Sequence, residues 1–168
     1  MHKTYTRYAD FDADYGFSEK AGFQLSELQI KDVDTFVRWP AALNTYAVGG
    51  GKTVTSTAVA LMRGCEKKVV TVPPVLITPW VRWLRKVTDN VLLYRGSPKE
   101  RKEMSIRKAH WIVLSHAIFR TDHARLLSEL GDSYELIVDE AHSIKNSGSV
   151  LFKKVQLLVG DAGYESVS

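Results

Sequence analysis

The sequence predicts an α/β fold in which a central, mostly parallel sheet carries helices on both faces. Two observations support this. From about residue 26 onward, short apolar runs of strand character alternate with longer stretches of helical periodicity. Two of those runs also end in groups that suit a ligand better than a turn: glycines and Lys-Thr after Val48, and two carboxylates after Val138. Parallel neighbours need a crossover between them, and an intervening helix supplies it.

Residues 1–24 are polar and aromatic, and Asp10, Asp12, Asp14 and Gly16 interrupt any period. They are expected to form an N-terminal extension, with the main lobe over 25–168. The spacing of the three aspartates resembles a calcium loop, but the glycine falls one residue late and no glutamate follows at the twelfth position. From Ser26 a capped helix is predicted, with Leu28, Ile30, Val33, Phe36 and Val37 near helical spacing and Pro40 as its stop. Residues 42–48 read as a short buried strand. Thr53–Met62 reads as a helix closed by Gly64. Further strands are predicted at Val75–Thr78, Val91–Tyr94, Trp111–Leu114 and Glu135–Val138. Further helices are predicted at Trp80–Val87, Pro98 to about Lys108, His116–Leu130 and Ser149–Leu158. Neither internal repeats nor low-complexity tracts occur.

A chain of 168 residues, 45% hydrophobic and 25% charged, supports one domain with a real core. The net charge of +4 allows a polyanionic partner without requiring one. The single cysteine, Cys65, excludes an internal disulfide. No apolar run reaches membrane-spanning length, and the N-terminus lacks the apolar core of a signal peptide. A soluble intracellular protein with no membrane contact is expected.

A strand entering Gly49-Gly50-Gly51, then Lys52-Thr53, then a helix is an arrangement that cradles a triphosphate. Glycines let successive N–H groups approach the phosphates, and the helix N-terminus adds its positive end. Lys52 would reach the β and γ phosphates, and the Thr53 hydroxyl would ligate magnesium. The strict phosphate-loop pattern is not met, because its first glycine position holds Tyr46. The competing reading is a glycine-rich turn beside a surface lysine. At the end of the apolar strand at 135–138, Asp139 would hold Mg²⁺ and Glu140 would orient or deprotonate the attacking water. The simpler alternative is that Asp139 caps the following helix. Together the two half-motifs, in this order, point to ATP with Mg²⁺.

The segment Asp139-Glu140-Ala141-His142-Ser143-Ile144-Lys145-Asn146 resembles motif II of superfamily-two helicases, and most closely the Swi/Snf-type branch. Other segments follow that branch in order. Leu28-Gln29 with Asp32-Val33 resembles its glutamine-bearing first helix, which makes Gln29 the adenine-contacting residue. Asn44–Thr53 is similar to motif I, although acidic residues usually precede the glycines there. Val75–Pro79 followed by Trp83 is similar to motif Ia. Val91–Ser97 with Arg101 resembles a strand ending in Tyr-x-Gly-Ser, and Trp111–His116 resembles the strand before a Thr-Tyr-Glu segment.

The resemblance covers roughly residues 26–158 and implies the N-terminal RecA-like lobe of a DNA translocase, in which two such lobes close on ATP. It further implies catalytic roles for Lys52, Asp139 and Glu140, and contacts to double-stranded DNA or coupling roles at Thr78, Pro79, Ser115, His142, Lys145 and Asn146. The loops after Thr78-Pro79 and Ser115-His116 are expected to face the phosphate backbone. Motif III is not matched by Gly163–Ser168, and the second lobe, with the arginine finger that stabilises the transferring charge, lies outside the sequence. The chain is therefore expected to bind ATP weakly and to hydrolyse it slowly or not at all unless a second RecA-like lobe is supplied. A non-catalytic interaction module derived from such a lobe is the competing function. A P-loop kinase or GTPase is disfavoured, because no Asn-Lys-x-Asp guanine signature occurs. The charges of Lys99–Lys102 and Arg107-Lys108 read as a solvated helix face, Trp80 and Trp83 as core fillers, and His110 and His116 as local hydrogen-bonders.

Overall fold

The computed structural model describes residues 3–38, 51–131 and 134–139. The predicted strand at 42–48 and the predicted last helix at 149–158 lie outside the described residues. The chain divides after Cys65 into two compact units.

The first unit is helical. The aspartates at its start do not prevent regular structure. Helix α1 (Tyr8–Tyr15) and helix α2 (Phe17–Ala21) form there, hinged at Gly16 with φ 73°. Tyr8, Phe11 and Tyr15 recur at helical spacing, and Tyr8, Phe11 and Phe17 are buried in a ring cluster, with Phe11 stacked on Tyr15 at 5.1 Å. Asp12 is spent locally, accepting hydrogen bonds from the Ser18 N–H and hydroxyl at 2.7 and 2.8 Å. Helix α3 (Glu27–Phe36) starts at Ser26 with a reciprocal cap: the Ser26 hydroxyl accepts from the Gln29 N–H, and the Gln29 side-chain oxygen accepts from the Ser26 N–H. Helix α4 (Lys52–Arg63) ends at Gly64 in the left-handed conformation, as predicted. Two bonds tie the N-terminal segment to these helices, from the Tyr5 N–H to the Met62 carbonyl and from the Tyr8 N–H to Asp34.

The second unit holds a parallel sheet of order β2-β3-β1-β4, built from β1 (Lys67–Val72), β2 (Val91–Leu93), β3 (Trp111–Ser115) and β4 (Tyr134–Val138). Its core gathers Val69, Tyr94, Ile106, Ile112, Leu114, Phe119 and Leu126. The predicted α/β class and the parallel pairing hold. The strand predicted at Val75–Thr78 does not, because the chain is extended at Lys67–Val72 instead. Pro73 and Pro74 explain the difference. Neither has an N–H for a ladder, and both favour the φ that starts a helix, so a 3₁₀ turn at Pro74–Leu76 leads into helix α5 (Ile77–Val87). The two lysines that open β1 are buried. Lys67 Nζ donates to the carbonyls of Ile106, Arg107 and Ala109, and Lys68 Nζ lies 5.4 Å from the centre of the Trp111 ring.

Helix α6 is shorter than predicted, spanning Pro98–Glu103, and helix α7 covers His116–Leu130 as predicted. Arg101 is not part of a solvated face. It is 7% exposed, and its guanidinium grips Asp122 on α7 at 2.8 and 3.3 Å while also holding the Gly96 carbonyl. Tyr94 donates to the same carboxylate at 2.6 Å, and Arg125 donates to the Tyr94 hydroxyl and to the carbonyls of Arg101, Lys102 and Met104.

Burial alone would raise the Asp122 carboxyl, but the bonds from Arg101 and Tyr94 and the charges of Arg101 and Arg125 outweigh it and hold the group below its ordinary value of 3.8. A depressed carboxylate contributes stability above its unfolded pKa and loses it as pH falls through the folded value. Asp122→Ala is expected to lower stability by about 3 kcal/mol, the lower end for removing one partner of a buried ion pair. Denaturant melts of wild type and variant should differ by that amount at neutral pH, the difference starting to shrink near pH 4 and continuing to fall as pH drops through the depressed folded value.

Candidate nucleotide-binding site

In the first unit, the start of α4 is the feature suited to an anion. Gly51 caps the helix in the left-handed conformation, with φ 84° and ψ 21°, which L side chains adopt at a cost. A Cβ there would also collide with the side-chain amide of Gln29. The backbone angle is what requires glycine here, and a larger residue would also displace the glutamine amide. The same glutamine is locked at its other end by the cap at Ser26, so its amide nitrogen is presented toward the start of α4. Lys52 and Thr53 are half-buried in the first turn, and the Thr53 carbonyl accepts from the Thr57 hydroxyl at 2.7 Å. The residues predicted to touch adenine and phosphate, Gln29 and Gly51 with Lys52, thus meet in one place.

In the second unit, Asp139 follows the carboxyl end of β4 and is fixed from three elements. Its N–H donates to the Thr71 carbonyl on β1 at 3.0 Å. Its carboxylate accepts from the Trp80 indole on α5 at 2.7 Å. Its carbonyl pairs with His116 Nε2 at the start of α7 at 3.0 Å, while His116 Nδ1 pairs with the Thr71 hydroxyl at 2.7 Å. A carbonyl can only accept, so Nε2 carries a proton, and in the neutral ring Nδ1 accepts from Thr71. His116 is thus a buried local hydrogen-bonder, as its position in the sequence suggested.

Other expected positions fall differently. Thr78 and Pro79 are not in a loop after a strand; they lie on the exposed side of the first turn of α5, because the strand ends six residues earlier at Val72. No loop follows Ser115 either: β3 passes directly into α7, and the buried Ser115 hydroxyl caps that helix by accepting from the Ile118 N–H. Gly49, Gly50, Glu140, His142, Lys145 and Asn146 lie outside the described residues. Sequence reasoning assigned Trp80 to the core, and it is 3% exposed, but its bond to Asp139 had no signal in the sequence. Among the described residues, no three His, Cys, Asp or Glu side chains gather as a metal site.

A family model of the SNF2-related domain matches residues 18–162. The chain belongs to the SNF2-related domain family. No curated protein matches. Among solved structures, the SNF2-related domain described here is similar to the Sulfolobus solfataricus SWI2/SNF2 ATPase core in complex with dsDNA. The TM-score is 0.64 at 20% identity, over 79% of this chain and 29% of that one. The fold is therefore that of an SNF2-type RecA-like lobe, and this chain spans less than a third of the ATPase core it resembles. Among the described residues, no helix is long and apolar enough to cross a membrane.

Proposed function

We propose that this SNF2-related domain is the ATP-binding lobe of a Swi/Snf-type, DNA-dependent ATPase. Gly49, Gly50, Gly51 and Lys52 hold the triphosphate, Gln29 reads the adenine, and Glu140 orients the attacking water. The observation that carries the reading is the start of α4, where a left-handed glycine, a first-turn lysine and a capped glutamine converge. Thr53 in the first unit and Asp139 in the second each offer oxygen donors of the kind a hard divalent cation takes, and Mg²⁺, when bound with the nucleotide, would supply positive charge against the phosphate oxygens. The lobe works with a second RecA-like lobe and on double-stranded DNA. Support for the DNA partner comes from the family and from the exposed side of α5, which carries Arg82, Arg85 and Lys86 and no acidic residue.

Isothermal titration of the chain with ATP and Mg²⁺ tests the reading directly. Saturable binding is expected, with weak duplex DNA binding that fades as salt is raised. A folded chain with no measurable nucleotide affinity but tight binding to a helicase partner would instead make it a non-catalytic interaction module.

A further inference from the structure

The geometry points to Trp80 as a positioning residue that sets the orientation of the Asp139 carboxylate for its cation, an inference that rests on the nucleotide site proposed above. The bond from the indole N–H to Oδ2 is 2.7 Å long, in the range of charge-assisted hydrogen bonds. It uses one of roughly four acceptor sites on the carboxylate and fixes rotation of the group about its last torsion. The donor is neutral. An arginine or lysine in its place would orient the carboxylate equally well but would also cancel the charge that a divalent cation needs. An indole orients it without adding a positive charge of its own.

The indole itself is held. Ile77, Trp80, Val81, Leu84 and Val87 form the buried stripe of α5, and Trp80 is 3% exposed within it. The ring cannot follow a moving carboxylate, so the carboxylate conforms to the ring. Asp139 has no slack in its backbone either. Thr71 receives its N–H, and His116, itself bonded to Thr71, binds its carbonyl. Side chain and peptide are thus clamped by β1, α5 and α7 within one unit. Partners that orient a metal-binding carboxylate in this way are typically worth about 10–100-fold in metal affinity.

Trp80→Phe keeps the ring and removes the donor. With ADP as the probe, to avoid turnover, the Mg²⁺ concentration giving half-maximal binding should rise about 10–100-fold, while ADP affinity measured in excess chelator stays at the wild-type value. An unchanged Mg²⁺ dependence in the variant, with wild type clearly Mg²⁺-dependent, overturns the role of Trp80 and leaves the nucleotide site standing. A wild type that binds no nucleotide under any condition overturns both. Should the variant fail to fold, the wild-type indole N–H resonance of Trp80, assigned through its contacts on α5, decides instead. Movement of that resonance on titrating Mg²⁺ with ADP supports the role, and a stationary resonance overturns it.

Discussion

Lys52→Ala is expected to remove nucleotide binding by the isolated chain while leaving its fold intact. Lys52 is the first residue of α4, directly after the left-handed Gly51. Alanine is at least as good a helix former as lysine, so the helix loses nothing by the change. The variant does lose an ammonium within reach of the terminal phosphates. Hydrogen bonds to charged groups contribute about 1.5–3 kcal/mol each, and two such bonds to phosphate oxygens correspond to roughly a hundredfold or more in affinity. For a single lobe that binds weakly, this takes titration heats below detection. The measurement pairs calorimetry with a thermal melt. Wild-type affinity in a normally melting variant would remove the central claim about this site.

The starts of α3 and α4 were legible because their signals are local. Gly51-Lys52-Thr53 before a helix, and Ser26 three residues before Gln29, are short-range signals that the backbone must honour wherever the segments end up. The contact between Gln29 and Gly51 was legible only through the family resemblance, since 22 residues separate them and no periodicity links them. Helix α7 and strands β2, β3 and β4 were found within a residue or so because apolar period and burial agree there. Strand β1 went unpredicted because two lysines open it and no apolar run marks its start; three carbonyls and an aromatic face receive their ammonium groups. Arg101 was misread because its partner Asp122 lies 21 residues on and cannot be seen from composition. Long polar side chains with distant partners are where pattern reading fails, since burial then depends on a tertiary contact instead of hydropathy. Trp80 is the instructive case. Its buried position followed from the α5 stripe, but its bond to a carboxylate 59 residues away could only be read from coordinates.

Supplying a second RecA-like lobe, together with duplex DNA, is expected to raise ATP hydrolysis by about 10³-fold or more over the chain alone. The described residues place helix α4, begun at a left-handed glycine, in one unit and a clamped aspartate at a strand end in the other; in the proposed reading these are the nucleotide-binding groups. Both groups hold and orient. Neither brings a mobile cation to the phosphoryl group as it transfers, and an arginine finger that does so is worth about 10³–10⁵ in rate. The assay is steady-state phosphate release with lobe, DNA and both added in turn, repeated with Lys52→Ala to show that the activity belongs to this site. Stimulation by both additions together, absent in the variant, places the rate-enhancing charge on the partner lobe. Fast turnover by the chain alone would place that charge within these 168 residues and end the two-lobe account.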